Sequence, residues 1–129
     1  MKMPCELMVT HVLPVAKGAL AKELVSKYGK TQVEVARMFG VTNAAVSQYI
    51  KGVRGGGSII DNTAYRDDFY SMLSDTAKRI SEGMGFNDAI CSICGYVKNS
   101  GMLRALYVYE GYDADHILCF EYPKVITIG

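Results

Sequence analysis

Three absences bound what this 129-residue chain can be. No apolar run approaches the roughly 18 residues that a membrane-spanning helix needs. The opening, MKMPCELMVTHVLP, has one lysine, then Pro4 and Glu6, with no long apolar stretch and no small-residue cleavage site. It does not read as a secretory signal, and the expectation is a cytoplasmic protein with no membrane partner. There is no internal repeat, and no low-complexity tract beyond Gly55-Gly56-Gly57. Those glycines lack the lysine and the flanking strand of a phosphate-cradling loop. No Ser/His/Asp grouping stands out either, so the chain is not expected to be an enzyme. What is present is a globular balance, 50% hydrophobic and 21% charged. That supports a packed core in one compact unit or two small lobes.

The net charge of +1 hides an asymmetry. Residues 1–55 hold eight Lys or Arg against Glu6, Glu23 and Glu34, which is +5, leaving −4 for residues 56–129. The basic half suits a polyanion and the acidic half does not.

Apolar spacing predicts a mainly α fold. Leu13, Ala16, Leu20 and Leu24 form one helical stripe between about Glu6 and Tyr28, with a break or restart expected at Pro14, which cannot donate an amide hydrogen bond. Gly29 is the expected cap at its end. From Lys30 to Lys51 the pattern is two short helices with a tight link, with Thr31 and Thr42 as candidate N-caps and Gly52 as terminator. Phe69, Leu73, Ala77, Ile80 and Met84 predict a helix from about Ala64 to Gly83, and Asn87 the cap of another reaching about Asn99. After Met102 the residues fit helix or strand equally, and the tail DADHILCFEYPKVITIG is undecided.

The informative stretch is TQVEVARMFGVTNAAVSQYIKG, residues 31–52. Ala36 is small enough for one helix to cross closely over the other. Gly40 sits in the turn, where a side chain would clash or where a positive φ is needed. Val46 and Ile50 face Val35 and Phe39 across the pair. Two helices set steeply in this way present the second for insertion into a major groove. A plain helical hairpin is the bland alternative, but caps, turn glycine, closing glycine and polar outer face all agree.

At these residues the chain resembles the Cro/repressor-like, or xenobiotic-response-element, family of helix-turn-helix transcriptional regulators. More loosely, it is similar to archaeal predicted regulators with a Pro-Cys-Glu start and a cysteine-bearing C-terminal region. The resemblance implies that residues opening the second helix reach base edges, which carries over to Asn43, Ala44, Ser47 and Gln48. It also implies that Gln32 buttresses them or binds phosphate. The chemistry agrees: Asn and Gln pair bidentately with adenine, Ser bonds several bases, and Ala touches a thymine methyl. Lys30, Thr31, Lys51 and Arg54 flank the pair where phosphates would lie. With the cap residue Thr42, the expected DNA-binding set is Gln32, Thr42, Asn43, Ala44, Ser47, Gln48, Lys51 and Arg54. The expected partners are double-stranded DNA and a second copy of the chain, with Tyr65, Phe69 and Tyr70 as candidates for the dimer face or, equally, for the core of the chain itself. The expected organisation is a helix-turn-helix DNA-binding domain over 1–55, a glycine-rich linker over 56–63, and a helical sensing and dimerisation region over 64–129.

Four cysteines complete the reading, Cys5, Cys91, Cys94 and Cys119. In a reducing compartment they favour metal binding or redox sensing over structural disulfides. Cys91 and Cys94 form a C-x-x-C, whose spacing on a helix places both sulfurs on one face. Four thiolates from one pair and two singles suit an iron–sulfur cluster at least as well as zinc. A thiol–disulfide switch and simple burial are the other readings, and His11 or His116 could replace one thiolate. The function expected is a DNA-binding regulator sensing redox or iron through such a cluster. A structural zinc site or dithiol switch is the alternative, and a C-x-x-C thiol oxidoreductase the alternative of another class.

Overall fold

The computed structural model describes residues 4–52 and 59–112. Among them the chain is mainly helical and contains no strand. The order is α1 (Pro4–Leu7), a π-turn (Met8–Val12), α2 (Leu13–Ser26), α3 (Gln32–Phe39), α4 (Asn43–Gly52), a 3₁₀ turn (Ile59–Asn62), α5 (Arg66–Ser81), α6 (Phe86–Asn99) and α7 (Met102–Tyr109). No helix among the described residues is long and apolar enough to cross a membrane.

The break expected at Pro14 takes another form. The helix does not stop; it widens one turn earlier, where the Leu13 amide reaches the Met8 carbonyl five residues back. Pro14 then falls in the first turn of α2, where a missing N–H costs little. The expected stripe is buried at Ala16, Leu20 and Leu24, and Gly18, Ala19 and Ala21 are buried as well. These positions surround the helix, so α2 is enclosed on most sides. It packs against α3, α4 and α5.

Phe69, Leu73, Ala77 and Ile80 of α5 are buried as the spacing predicts. They join one hydrophobic cluster with Val12, Leu20, Val46, Ile93, Leu103 and Tyr107. Full burial of side chains of this size stabilises by about 1.5–3 kcal/mol each. Phe69 therefore faces the interior of its own chain instead of a dimer partner. Tyr70 donates a 3.0 Å hydrogen bond to Asp61, fastening the 3₁₀ turn to α5. That turn occupies the end of the expected linker, with Ile60 fully buried.

Two local expectations change. The cap of α6 is Gly85 and not Asn87, because Phe86 already belongs to the helix and stacks on Phe39. Packing of a ring outweighs the preference of one asparagine for a cap. Residues 102–109, ambiguous in the sequence, are helix, with Met102, Leu103, Leu106 and Tyr107 buried on one face. The expectations for residues 113–129 and for 53–58 fall outside the described residues.

Gly40 ends α3 with φ 67°, and the Val41 amide closes the turn on the Ala36 carbonyl at 2.9 Å. A Cβ placed on Gly40 would meet nothing within 4 Å. Gly40→Ala should therefore lose about 1–2 kcal/mol through backbone strain alone, with Gly40→Asn costing less. Chemical denaturation of the three proteins measures this; equal stability of Gly40→Ala and wild type would contradict the turn geometry.

Candidate nucleic-acid interface

The α3–α4 pair is built from its caps inward. The Thr31 hydroxyl accepts from the Glu34 amide at 3.1 Å, and the Thr31 amide donates to the Glu34 carboxylate at 3.2 Å. This reciprocal box satisfies two donors that the first turn of α3 would leave open. Thr42 repeats half of the device, its hydroxyl accepting from the Ala45 amide at 3.1 Å. Between them, Val35, Ala36, Phe39 and Val46 are buried, and Val41, Tyr49 and Ile50 pack partly buried against the same core.

Burial of Val46 decides which way α4 faces. At 100° per residue, Asn43, Ala44, Ser47, Gln48 and Lys51 cover an arc of about 140°, while Ala45, Val46, Tyr49 and Ile50 occupy the opposite side. Accessibility follows this division. Asn43, Ala44, Gln48 and Lys51 are exposed, Ser47 is half-buried at the edge, and Val46 is sealed. The outward arc thus carries two carboxamides, a hydroxyl, a methyl and an ammonium on one rigid surface. Gln32 is exposed as the first residue of α3, and Lys30 is half-buried just before it. Arg54 lies outside the described residues. From Lys30 to Gly52 the charges are Lys30, Arg37 and Lys51 against Glu34, a net +2.

Reading the sequence missed Arg37 and Val33, both exposed on α3. Arg37 was legible as the only other cation in the pair. Val33, half exposed at 50%, carried no signal that separates it from a packing residue.

Cys91 is exposed and Cys94 half-buried against the core, both on α6. Cys5 belongs to α1, while Cys119 and His116 lie outside the described residues. His11 stands 3.0 Å from Glu110 at the end of α7. Among the described residues no three His, Cys, Asp or Glu come together as a metal site.

Comparison with protein-family models, curated proteins and solved structures finds no match to this chain. The functional reading therefore stands on the chain's own residues.

The capping box has a pH signature. Hydrogen bonds from the Thr31 backbone and then its hydroxyl hold the Glu34 carboxyl below its ordinary 4.5 against an opposing desolvation, with smaller contributions from Lys30 and Arg37 in the lowering direction. A depressed carboxyl pKa stabilises the fold above the unfolded value, and that contribution is lost as pH falls through the lowered value. Thr31→Ala should raise the Glu34 pKa part of the way back and cost about 1 kcal/mol. Carboxyl chemical shifts followed through the acid range test it, and an unchanged Glu34 midpoint would rule out the hydroxyl's share of the shift.

Proposed function

We propose that the chain is a cytoplasmic, sequence-specific DNA-binding transcriptional regulator, a binding protein and not an enzyme, that acts as a homodimer. The observation that carries this reading is the division of α4. A buried Val46 faces inward, and a continuous outward arc of Asn43, Ala44, Ser47 and Gln48 ends in Lys51. Those side chains match the donor and acceptor patterns of base edges in a major groove. The cations around them suit phosphates, which position a protein without reading sequence. The resemblance of residues 30–52 to repressor-type helix-turn-helix modules points the same way. Gln32, at the start of α3, takes a buttressing or phosphate-binding role, and Thr42 fixes the first turn of α4 so that Asn43 and Ala44 project forward.

One such helix contacts only a few base pairs, so a two-fold dimer on half-sites about one helical turn apart supplies the remaining specificity.

Selection from a randomised duplex pool should return a two-fold motif, with affinity falling steeply as salt rises. Asn43→Ala and Gln48→Ala should each lose about 1–3 kcal/mol of discrimination at one base position, whereas Lys51→Ala should weaken all sequences alike. A pool with no enriched motif removes the regulator reading. Light scattering that gives a monomer both with and without the selected duplex removes the dimer.

A further inference from the structure

The helix that carries the C-x-x-C is also the helix that braces the end of α3. Phe86, the first residue of α6, stacks on Phe39, the last residue of α3, with ring centroids 4.2 Å apart and planes 21° from parallel. Phe39 is itself nearly buried and immediately precedes the turn glycine, Gly40. Cys91 follows on α6 with its side chain exposed, and Cys94 lies one turn further on, half-buried.

We propose that Cys91 and Cys94 form a reversible dithiol–disulfide switch, transmitted through the Phe86–Phe39 stack, whose oxidation weakens DNA binding by α4. The output rests on the DNA-binding reading above; the coupling itself does not. Residues three apart on a helix have Cβ atoms about 5–6 Å apart. A disulfide requires about 3.5–4.5 Å. Closing the bond must therefore draw the two Cβ atoms together by about 0.5–2.5 Å, which strains the helix. The inner side of α6 cannot take up that movement freely, because Ala89, Ile93 and Val97 are sealed in the core. The freer end is the first turn. There Phe86 borders an open groove of about 480 Å³, shared with Arg37, Phe39, Gly40 and Asp88, into which its ring can shift. Movement of Phe86 withdraws the brace from Phe39, and the turn that sets α4 against α3 loosens.

The chemistry needs a two-electron oxidant, and hydrogen peroxide is the class proposed. The exposed Cys91 thiolate attacks one peroxide oxygen, breaking the O–O bond and expelling hydroxide, which takes up the proton the thiol had released and leaves as water, with a sulfenic acid on Cys91. The Cys94 thiolate then attacks that sulfur, forming the S–S bond and expelling hydroxide, which leaves as a second water. In total, two thiols and one peroxide give one disulfide and two waters. A small dithiol reverses it by exchange.

The test uses the full chain with Cys5→Ser and Cys119→Ser, so that only this pair can respond, alongside wild type. Peroxide should remove two hydrogens from the intact mass, and peptide mapping should place the bond between Cys91 and Cys94. Amide exchange across residues 36–42 should speed up, and Kd for the selected duplex should rise about fivefold or more, with dithiothreitol restoring both. Cys91→Ser and Cys94→Ser should keep the reduced affinity and ignore peroxide. Phe86→Leu should form the same disulfide with a smaller change in Kd, separating the relay from damage to the fold. The proposal is overturned by failure of this bond to form, by a formed bond that leaves exchange and Kd unchanged, or by stoichiometric iron or zinc held on these two thiols in the wild-type protein as isolated. If the reduced protein selects no sequence, the regulator reading fails instead, and exchange over 36–42 still decides the coupling.

Discussion

The burial of α2 on most of its circumference is the constraint on which the rest depends. A helix that is apolar on one stripe needs one neighbour; a helix buried all round must be the centre of its structure. Leu20 and Leu24 fill one side of α2, while Gly18, Ala19 and Ala21 allow close approach on the others. Short helices of eight and ten residues such as α3 and α4 are marginal alone in water. Both pack on α2, and so does α5. The orientation of the outward arc of α4 is thus inherited from a helix that never reaches that surface.

Polar ties across this frame set orientation more than stability. Ser74 of α5 donates to the Glu23 carboxylate of α2 at 2.8 Å, and the Lys27 ammonium stands 3.1 Å from its other oxygen. His11 of the π-turn meets Glu110 beyond α7 at 3.0 Å. Burial, and after it the bond to Asp61, pushes the Tyr70 hydroxyl up to about 12, so it stays protonated and donating at any physiological pH. Hydrogen bonds of this kind contribute about 0.5–1.5 kcal/mol net. Their effect is to give the apolar contacts one register, so that the residues before and after position 55 share a core with defined neighbours.

Much of this was legible in the sequence where local chemistry decides structure. Thr31, Glu34, Gly40 and Thr42 act through bonds within four residues, so the bounds of α3 and α4 follow from them directly. The leucine stripe of α2 was equally plain. Its small residues were not, because Gly18, Ala19 and Ala21 carry little apolar weight and reveal further buried faces only when the neighbouring helices α3, α4 and α5 are set around α2. Asn87 shows the same limit from the other side: a good capping residue was displaced by a ring stack with Phe39, 47 positions earlier in the chain. At the candidate interface, the polar arc could be drawn from helical periodicity once Val46 was assigned inward. Nothing local told of Val33, whose exposure is set by the packing of the whole pair.

The size of that arc argues for how the chain must work if it reads DNA. A ten-residue helix is about 15 Å long and presents Asn43, Ser47 and Gln48 as its hydrogen-bonding readers. At about 1–3 kcal/mol for each good base contact, one copy supplies about 3–9 kcal/mol of discrimination with every contact ideal. Specific regulators need about 4–10 kcal/mol over nonspecific duplex. Two good contacts give about 2–6 kcal/mol, so a single copy spans only part of that range, and a second copy brings the upper end within reach. Doubling also changes what a small movement can do. In a dimer that reads DNA, two recognition helices would have to fit successive grooves together, so a small shift of α3 would be felt at both half-sites at once. That makes the brace between Phe39 and Phe86 a point of leverage, although neither ring lies on the outward arc of α4.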